Sequence, residues 1–200
     1  MTTFILASGS PRRSELLRTC GIKISAIHPP KILEIRNQDE SPLEYASRLA
    51  VEKSKAIHHN NAVVLSADTI VCLENRVFEK PTDDQNAFDI LSTLSGGWHD
   101  VITAWAISIH PPIADGEAIR ISHSGSTTSK VRFRSFKEAE IRSYIQTGEG
   151  RDKAGSYGIQ GKGAALVEEI SGDFSNVVGL PIKDVLFALN SLGVHSEFAQ

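Results

Sequence analysis

Residues 4–13 read Phe4-Ile5-Leu6-Ala7-Ser8-Gly9-Ser10-Pro11-Arg12-Arg13, an apolar run that gives way to small residues and restarts at a proline. The apolar run is a strand that delivers the backbone to a point, where Ala7, Ser8, Gly9 and Ser10 leave its amides uncovered. Pro11 then opens a helix at the position where a missing N–H costs nothing, with Ser10 as its cap. Free amides at a helix start, two hydroxyls and two guanidiniums make a place to hold an anion, above all a phosphate chain. Taken alone, the stretch reads equally well as a capped turn with a solvated arginine pair.

The rest of the chain continues the alternation of strand and helix. Pro11–Thr19 is a helix closed by Gly21, and Ser41-Pro42-Leu43-Glu44 is a capping box that opens a helix to about His58. Ala62–Cys72 is apolar and β-branched, hence a buried strand. Thr82 and Gln85 are expected to cap a helix that stops near Gly96-Gly97. Val101–Ile109 is a strand, Glu117–Phe133 supplies one or two more, and His110–Gly116 connects them rather than linking domains. Ser135 with Glu138 repeats the capping box for a helix ending at Gly148. Ala164–Ile170 is a strand, and Pro181 opens a last helix to about Leu192. The pattern predicts an α/β protein with an elongated mixed sheet, flanking helices and a ligand crevice at strand ends.

Composition is that of one soluble globular protein. A chain of 200 residues can bury roughly 70% of its unfolded surface as one domain or two small lobes. A net charge of −3 argues against stable nucleic-acid binding, although a local basic cleft survives such an average. No apolar run approaches the roughly 20 residues of a membrane span, and the N-terminus lacks a signal-peptide pattern, so a cytoplasmic protein is expected. Cys20 and Cys72 lie far apart with no metal spacing and read as free thiols packed as small apolar residues.

Few residues could carry chemistry. Asp68 lies inside the apolar strand within Ser66-Ala67-Asp68-Thr69, where a carboxylate is costly unless it binds a metal, pairs with a cation or abstracts a proton. Glu34 is a weaker candidate in a polar loop. Lys53 follows Arg48 by five residues on the Ser41 helix, on a roughly adjacent face; alone, Lys53 and Lys55 read as a solvated surface. Lys80 precedes Pro81, which pins its backbone toward an extended form. Arg151–Gly163 is rich in glycine and cations but is not a Walker loop, because Ser156 and Gly163 stand where lysine and a hydroxyl residue are required. It remains a loop that lets Lys153 and Gln160 approach a ligand. His58, His59 and His99 read as surface or packing residues.

Taken together, L-A-S-G-S-P-R-R (6–13), Glu34, R-L-A-x-x-K (48–53), S-A-D-T (66–69), K-P (80–81), L-S-G (94–96) with His99, D-K-A-G-S-Y-G-I-Q-G (152–161) and N-V-V-G-L-P (176–181) resemble the Maf nucleotide pyrophosphatases. The resemblance covers nearly the whole chain. It implies an inosine-triphosphate-pyrophosphatase-like fold, a single domain over residues 1–200 with two lobes around a central cleft, and usually a homodimer. It also implies hydrolysis of a nucleoside triphosphate to monophosphate and pyrophosphate with a divalent cation, Mg²⁺ or else Mn²⁺ or Co²⁺. Arg12 and the Y-G-I-Q run resemble the branch acting on dTTP and UTP, with modified pyrimidine nucleotides as further candidates. On this reading Glu34 and Asp68 hold the metal, Asp68 accepts the proton of the attacking water, and Lys80 assists. Ser8, Gly9, Ser10, Arg13, Lys53 and Lys153 bind phosphate; Arg12, Thr69 and Gln160 select the base. The rival expectation is a nucleotide-binding regulator of cell division that has lost turnover.

Overall fold

The computed structural model describes residues 3–112 and 118–198. Among these, seven strands and six α-helices alternate along the chain. They run β1 (Thr3–Ala7), α1 (Pro11–Thr19), β2 (Ala26–Ile27), α2 (Pro42–Lys55), β3 (Ala62–Leu73), β4 (Arg76–Phe78) and α3 (Asp84–Leu94). There follow β5 (Trp98–His110), β6 (Arg120–Phe133), α4 (Glu138–Gln146), β7 (Val167–Ser171), α5 (Phe174–Val178) and α6 (Ile182–Ser191). The strands form one sheet in the order β2-β1-β3-β5-β6-β7, with β4 paired on β3. β1 pairs parallel to both β2 and β3, whereas β3–β4 and β6–β7 are antiparallel. The sheet is therefore mixed, as the alternation of elements predicts.

Several boundaries differ from the expected ones for identifiable reasons. Ser10 occupies the N-cap position of α1 with extended backbone, but its hydroxyl makes no capping bond. The capping box at Ser41 and Glu44 is present, and α2 ends at Lys55, short of His58. The α3 cap is Asp83, whose carboxylate accepts the Asn86 N–H at 2.7 Å, so neither Thr82 nor Gln85 is needed. At α4, Glu140 accepts the Lys137 N–H at 2.9 Å, which moves the cap two residues on from Ser135 to Lys137. Residues 162–166 turn as a 3-10 helix, delaying β7 to Val167 rather than Ala164. β6 is one strand from Arg120, and the expected start at Glu117 lies outside the described residues. β2, β4 and α5 are too short to leave a periodic signal.

The chain divides into two compact units. The first comprises residues 1–68, 103–126 and 179–200, and the second residues 69–102 and 127–178. In the first unit the alternation of β1 and β3 sorts apolar side chains to two faces of the sheet. Phe4, Leu6, Val63, Leu65 and Ala67 pack with Leu17 of α1 and Val185, Ala188 and Leu189 of α6. Ile5, Ala7, Ala62 and Val64 form a second cluster with Ile57, just beyond α2. Positions 62, 64, 66 and 68 thus share the α2 face, and the Ser66 hydroxyl confirms it by donating to the Ala50 carbonyl of α2 at 2.5 Å. In the second unit α3 packs on α4 and on the 3-10 turn Ala154–Ser156. There His99, Phe133 and Tyr157 stack edge to face, with ring centroids 4.7–5.5 Å apart.

Candidate active site

The same strand alternation that puts Ser66 opposite Ala50 puts Asp68, two residues on, opposite the next turn of α2. That turn carries Lys53. Its ammonium lies 2.5 Å from Asp68 Oδ1 and 2.8 Å from Glu34 Oε1. Lys53 and Asp68 are both buried, whereas Glu34 is half-exposed on its loop. The solvated-surface reading of Lys53 is therefore wrong; it holds for Lys55, which is exposed. A helical face cannot be told from a buried one at a lysine until the strand beneath it is placed. Two carboxylates meeting one ammonium leave a net negative charge in a partly desolvated place, which suits a second cation.

The turn after β1 is built around Ser8. Its buried hydroxyl accepts the Ser10 N–H at 3.2 Å and the Arg13 Nη1–H at 3.1 Å, and Arg13 Nε donates to the Gly179 carbonyl at 2.8 Å. Desolvation lowers the pKa of the Arg13 guanidinium, and the negative charge of Asp68, then the positive charge of Arg12, modulate it. An arginine still ionises fully there, so the turn keeps a fixed positive charge within electrostatic reach of Asp68 and Glu34. Gly9 is exposed, and Ser10 and Arg12 are partly so. The first unit thus brings Ser8, Arg13, Glu34, Lys53 and Asp68 into two linked groups: an anchored cation and an acid pair bridged by a lysine.

A family model described as "Maf-like protein" matches residues 3–192. The chain belongs to the Maf family. It is 44% identical over 184 residues to the dTTP/UTP pyrophosphatase of Desulfotalea psychrophila, covering 91% of this chain and 90% of the relative. It is 45% identical over 180 residues to that of Clostridioides difficile, covering 89% of each, and 42% identical over 192 residues to that of Aquifex aeolicus, covering 95% of each.

Thr69, Lys80, Lys153 and Gln160 lie in the second unit and are described there. Thr69 is half-buried, and Lys80 and Gln160 are exposed. Lys153 donates to the Glu149 carbonyl at 2.5 Å and to Asp152 at 2.6 Å. The glycine-rich loop is shaped by Glu149, a residue the sequence reading passed over. Its carboxylate accepts the Lys162 and Gly163 N–H groups at 2.7 and 2.8 Å and the Tyr144 hydroxyl at 3.0 Å. A Cβ at Gly161 would fall 2.3 Å from that carboxylate, so a larger residue there would have to displace the Glu149 side chain from these hydrogen bonds. His99 is buried against Tyr157, its Nε2 3.0 Å from the phenol oxygen, as a packing residue should be. Burial holds its imidazole down to a pKa of about 4.

Arg48, inside the R-L-A-x-x-K motif, is paired with Glu40. Arg48 Nε and Nη2 donate to the two carboxylate oxygens of Glu40 at 2.5 and 2.8 Å. The guanidinium holds the Glu40 carboxyl down at about 2. Nothing in a polar loop announces which acid a distant guanidinium will choose.

Glu34 and Asp68 are suitable ligands for a small divalent cation. Hard cations of the Mg²⁺ class take one or two carboxylates and complete their shell with water and substrate phosphate. Among the described residues no group of three or more His, Cys, Asp or Glu forms a metal-holding cluster.

Proposed function

We propose that this chain is a nucleoside triphosphate pyrophosphatase that hydrolyses dTTP and UTP to the monophosphate and pyrophosphate. The observation that carries the proposal is the 42–45% identity to dTTP/UTP pyrophosphatases over about nine-tenths of both chains. The lysine-bridged acid pair supplies the chemistry such a reaction needs. Water attacks the α-phosphorus, the bond from it to the bridging oxygen of the β-phosphate breaks, and the electron pair leaves with pyrophosphate. Asp68 accepts the water's proton as the new bond forms. Arg13 neutralises phosphate charge, Ser8 fixes the guanidinium that does so, and Lys53 holds the two acids together. Glu34 and Asp68 would hold a divalent cation, which would supply further charge neutralisation and Lewis acidity when bound. The family resemblance assigns Lys80 and Lys153 to phosphate, and Arg12, Thr69 and Gln160 to the base.

The nucleotide substrate suits a cytoplasmic enzyme, and among the described residues no helix is long and apolar enough to cross a membrane. The homodimer rests on the resemblance. The test is pyrophosphate release from dTTP, UTP, CTP, ATP, GTP and 7-methyl-GTP with Mg²⁺. Hydrolysis of dTTP and UTP well ahead of the purines is expected, and Gln160→Ala should narrow that preference by roughly 1–3 kcal/mol. A regulator without turnover would gain melting temperature with dTTP and release no pyrophosphate.

A further inference from the structure

Glu34 sits in a stretch, residues 28–37, with no regular secondary structure. Its neighbours give it no apolar anchor: Leu33 is 80% exposed and Ile35 65%. A carboxylate meant to meet a buried aspartate cannot be left on a freely moving loop, so other contacts must hold it. They come from α2. Arg48 Nη2 donates to the Ile35 carbonyl, the residue after Glu34, at 2.8 Å. The same guanidinium grips Glu40 with two hydrogen bonds and reaches Glu52 with Nη1 at 3.1 Å. Glu40 in turn closes the loop on itself. Its carboxylate accepts the Asn37 N–H at 2.9 Å, and its carbonyl accepts Arg36 Nε and Nη2 at 2.9 and 2.5 Å. Every one of Arg48's nitrogens is thereby engaged, in a planar fork that a lysine could not reproduce.

The consequence reaches the acid pair directly. Lys53 follows Arg48 by five residues on the same helix and binds Glu34 itself at 2.8 Å. One helix therefore holds two successive residues of the loop, Ile35 by its carbonyl and Glu34 by its carboxylate. Releasing the first would leave the second tethered only through an ammonium that it shares with Asp68.

We infer that Arg48, locked by Glu40, is a positioning residue of the reaction: it fixes the Ile35 carbonyl so that the Glu34 carboxylate is presented beside Asp68. The inference rests on the role proposed above for Glu34. It also predicts an energetic signature that a merely structural arginine would not give, because the loss at Arg48 should pass through Glu34.

The test is a double-mutant cycle on the full chain, with kcat and KM for pyrophosphate release from dTTP and the melting temperature of each variant. Arg48→Ala should lower kcat/KM about 10- to 100-fold, the scale of a reacting group displaced by roughly an ångström. Arg48→Lys should recover little of it, since charge without the fork does not hold the loop. In a Glu34→Gln background, Arg48→Ala should cost less than about twofold. Glu40→Gln, which leaves α2 untouched, should show the same pattern and replaces Arg48→Ala if that variant does not fold. A loss at Arg48 or Glu40 that multiplies in full onto Glu34→Gln would overturn the inference, as would wild-type kinetics in a folded Arg48→Ala. If Glu34→Gln alone retained wild-type turnover, the role of Glu34 would fail and this inference with it, a result distinct from multiplied losses.

Discussion

Replacing Lys53 with methionine removes one charge and almost no volume, so its effect measures what the ammonium does for the two acids. Asp68 is 5% exposed and Lys53 8%, and their contact is 2.5 Å. Taking one partner from a buried ion pair leaves an uncompensated charge, at a cost of about 3–5 kcal/mol. Two features bring the expectation to the low end: Glu34 is 39% exposed and can turn to water, and the Arg13 charge still acts on Asp68. A loss of about 3 kcal/mol lowers the melting temperature of a chain this long by roughly 6–12 °C. The assay is thermal and urea unfolding of Lys53→Met, Asp68→Asn and the double variant, with and without Mg²⁺. The double variant should regain more than half of the loss, because the unpaired charge is gone. Mg²⁺ should raise the melting temperature of Lys53→Met more than that of the wild type, because a cation can re-pair the acids. If Lys53→Met melted like the wild type, or if Asp68→Asn gave no recovery, the lysine would be a bystander and the acid pair self-sufficient.

Other outcomes follow from the same geometry. Asp68→Asn should fold and lose at least ~10²-fold in pyrophosphate release; near-normal turnover in the folded variant would leave Asp68 a structural residue. Lys80 is exposed, so Lys80→Ala should lower kcat/KM at an unchanged melting temperature. Arg13→Ala removes the guanidinium's hydrogen bonds to the Ser8 hydroxyl and the Gly179 carbonyl and should lower both, the stability by about 1–3 kcal/mol. His99 is held neutral down to a pKa of about 4 by burial, against about 6.5 when unfolded. The unfolded chain therefore binds the proton first, and His99's contribution is complete above pH 6.5 and lost as pH falls toward 4. The loss amounts to about 3 kcal/mol, and urea unfolding at pH 7.5 and 4.5 should show it in the wild type and not in His99→Phe.

What the sequence reveals here depends on how local the cause is. Pro11 after four small residues announces a strand-to-helix turn because the constraint lies within the chain's own dihedrals. Ser41 and Glu44 announce α2 because the two halves of the box lie only three residues apart. Asp68 stands out because it interrupts an apolar strand. Lys53 does not stand out: whether its helix face meets water or β3 is decided by packing between elements 15 residues apart. The same holds for Glu34, whose loop is fixed by a guanidinium 13 residues from the carbonyl it binds. Asp83 and Lys137 displaced the expected caps because serine and threonine are abundant before helices, and only geometry selects which polar group reaches the open amides. Glu149 was invisible for a third reason: its carboxylate acts on backbone amides 13 and 14 residues away, which nothing in its own surroundings announces.

The spacing of Arg48 and Lys53 explains why one helix can manage both tasks. Five residues at 3.6 per turn separate them by about 140° around α2 and about 7.5 Å along it, so they serve different sides of the helix. The strand side receives Lys53, which is buried; the loop side receives Arg48, whose side chain is 27% exposed. A loop can reach both only by wrapping part of the helix circumference, and in an irregular segment one residue's carboxylate and the next residue's carbonyl can point in such different directions. Glu34 and Ile35 do this. A spacing of four or seven residues would bring the two cations onto one face, where both would meet β3 and the loop would lose its anchor. The five-residue interval in R-L-A-x-x-K is thus the geometric condition for holding an exposed acid beside a buried one.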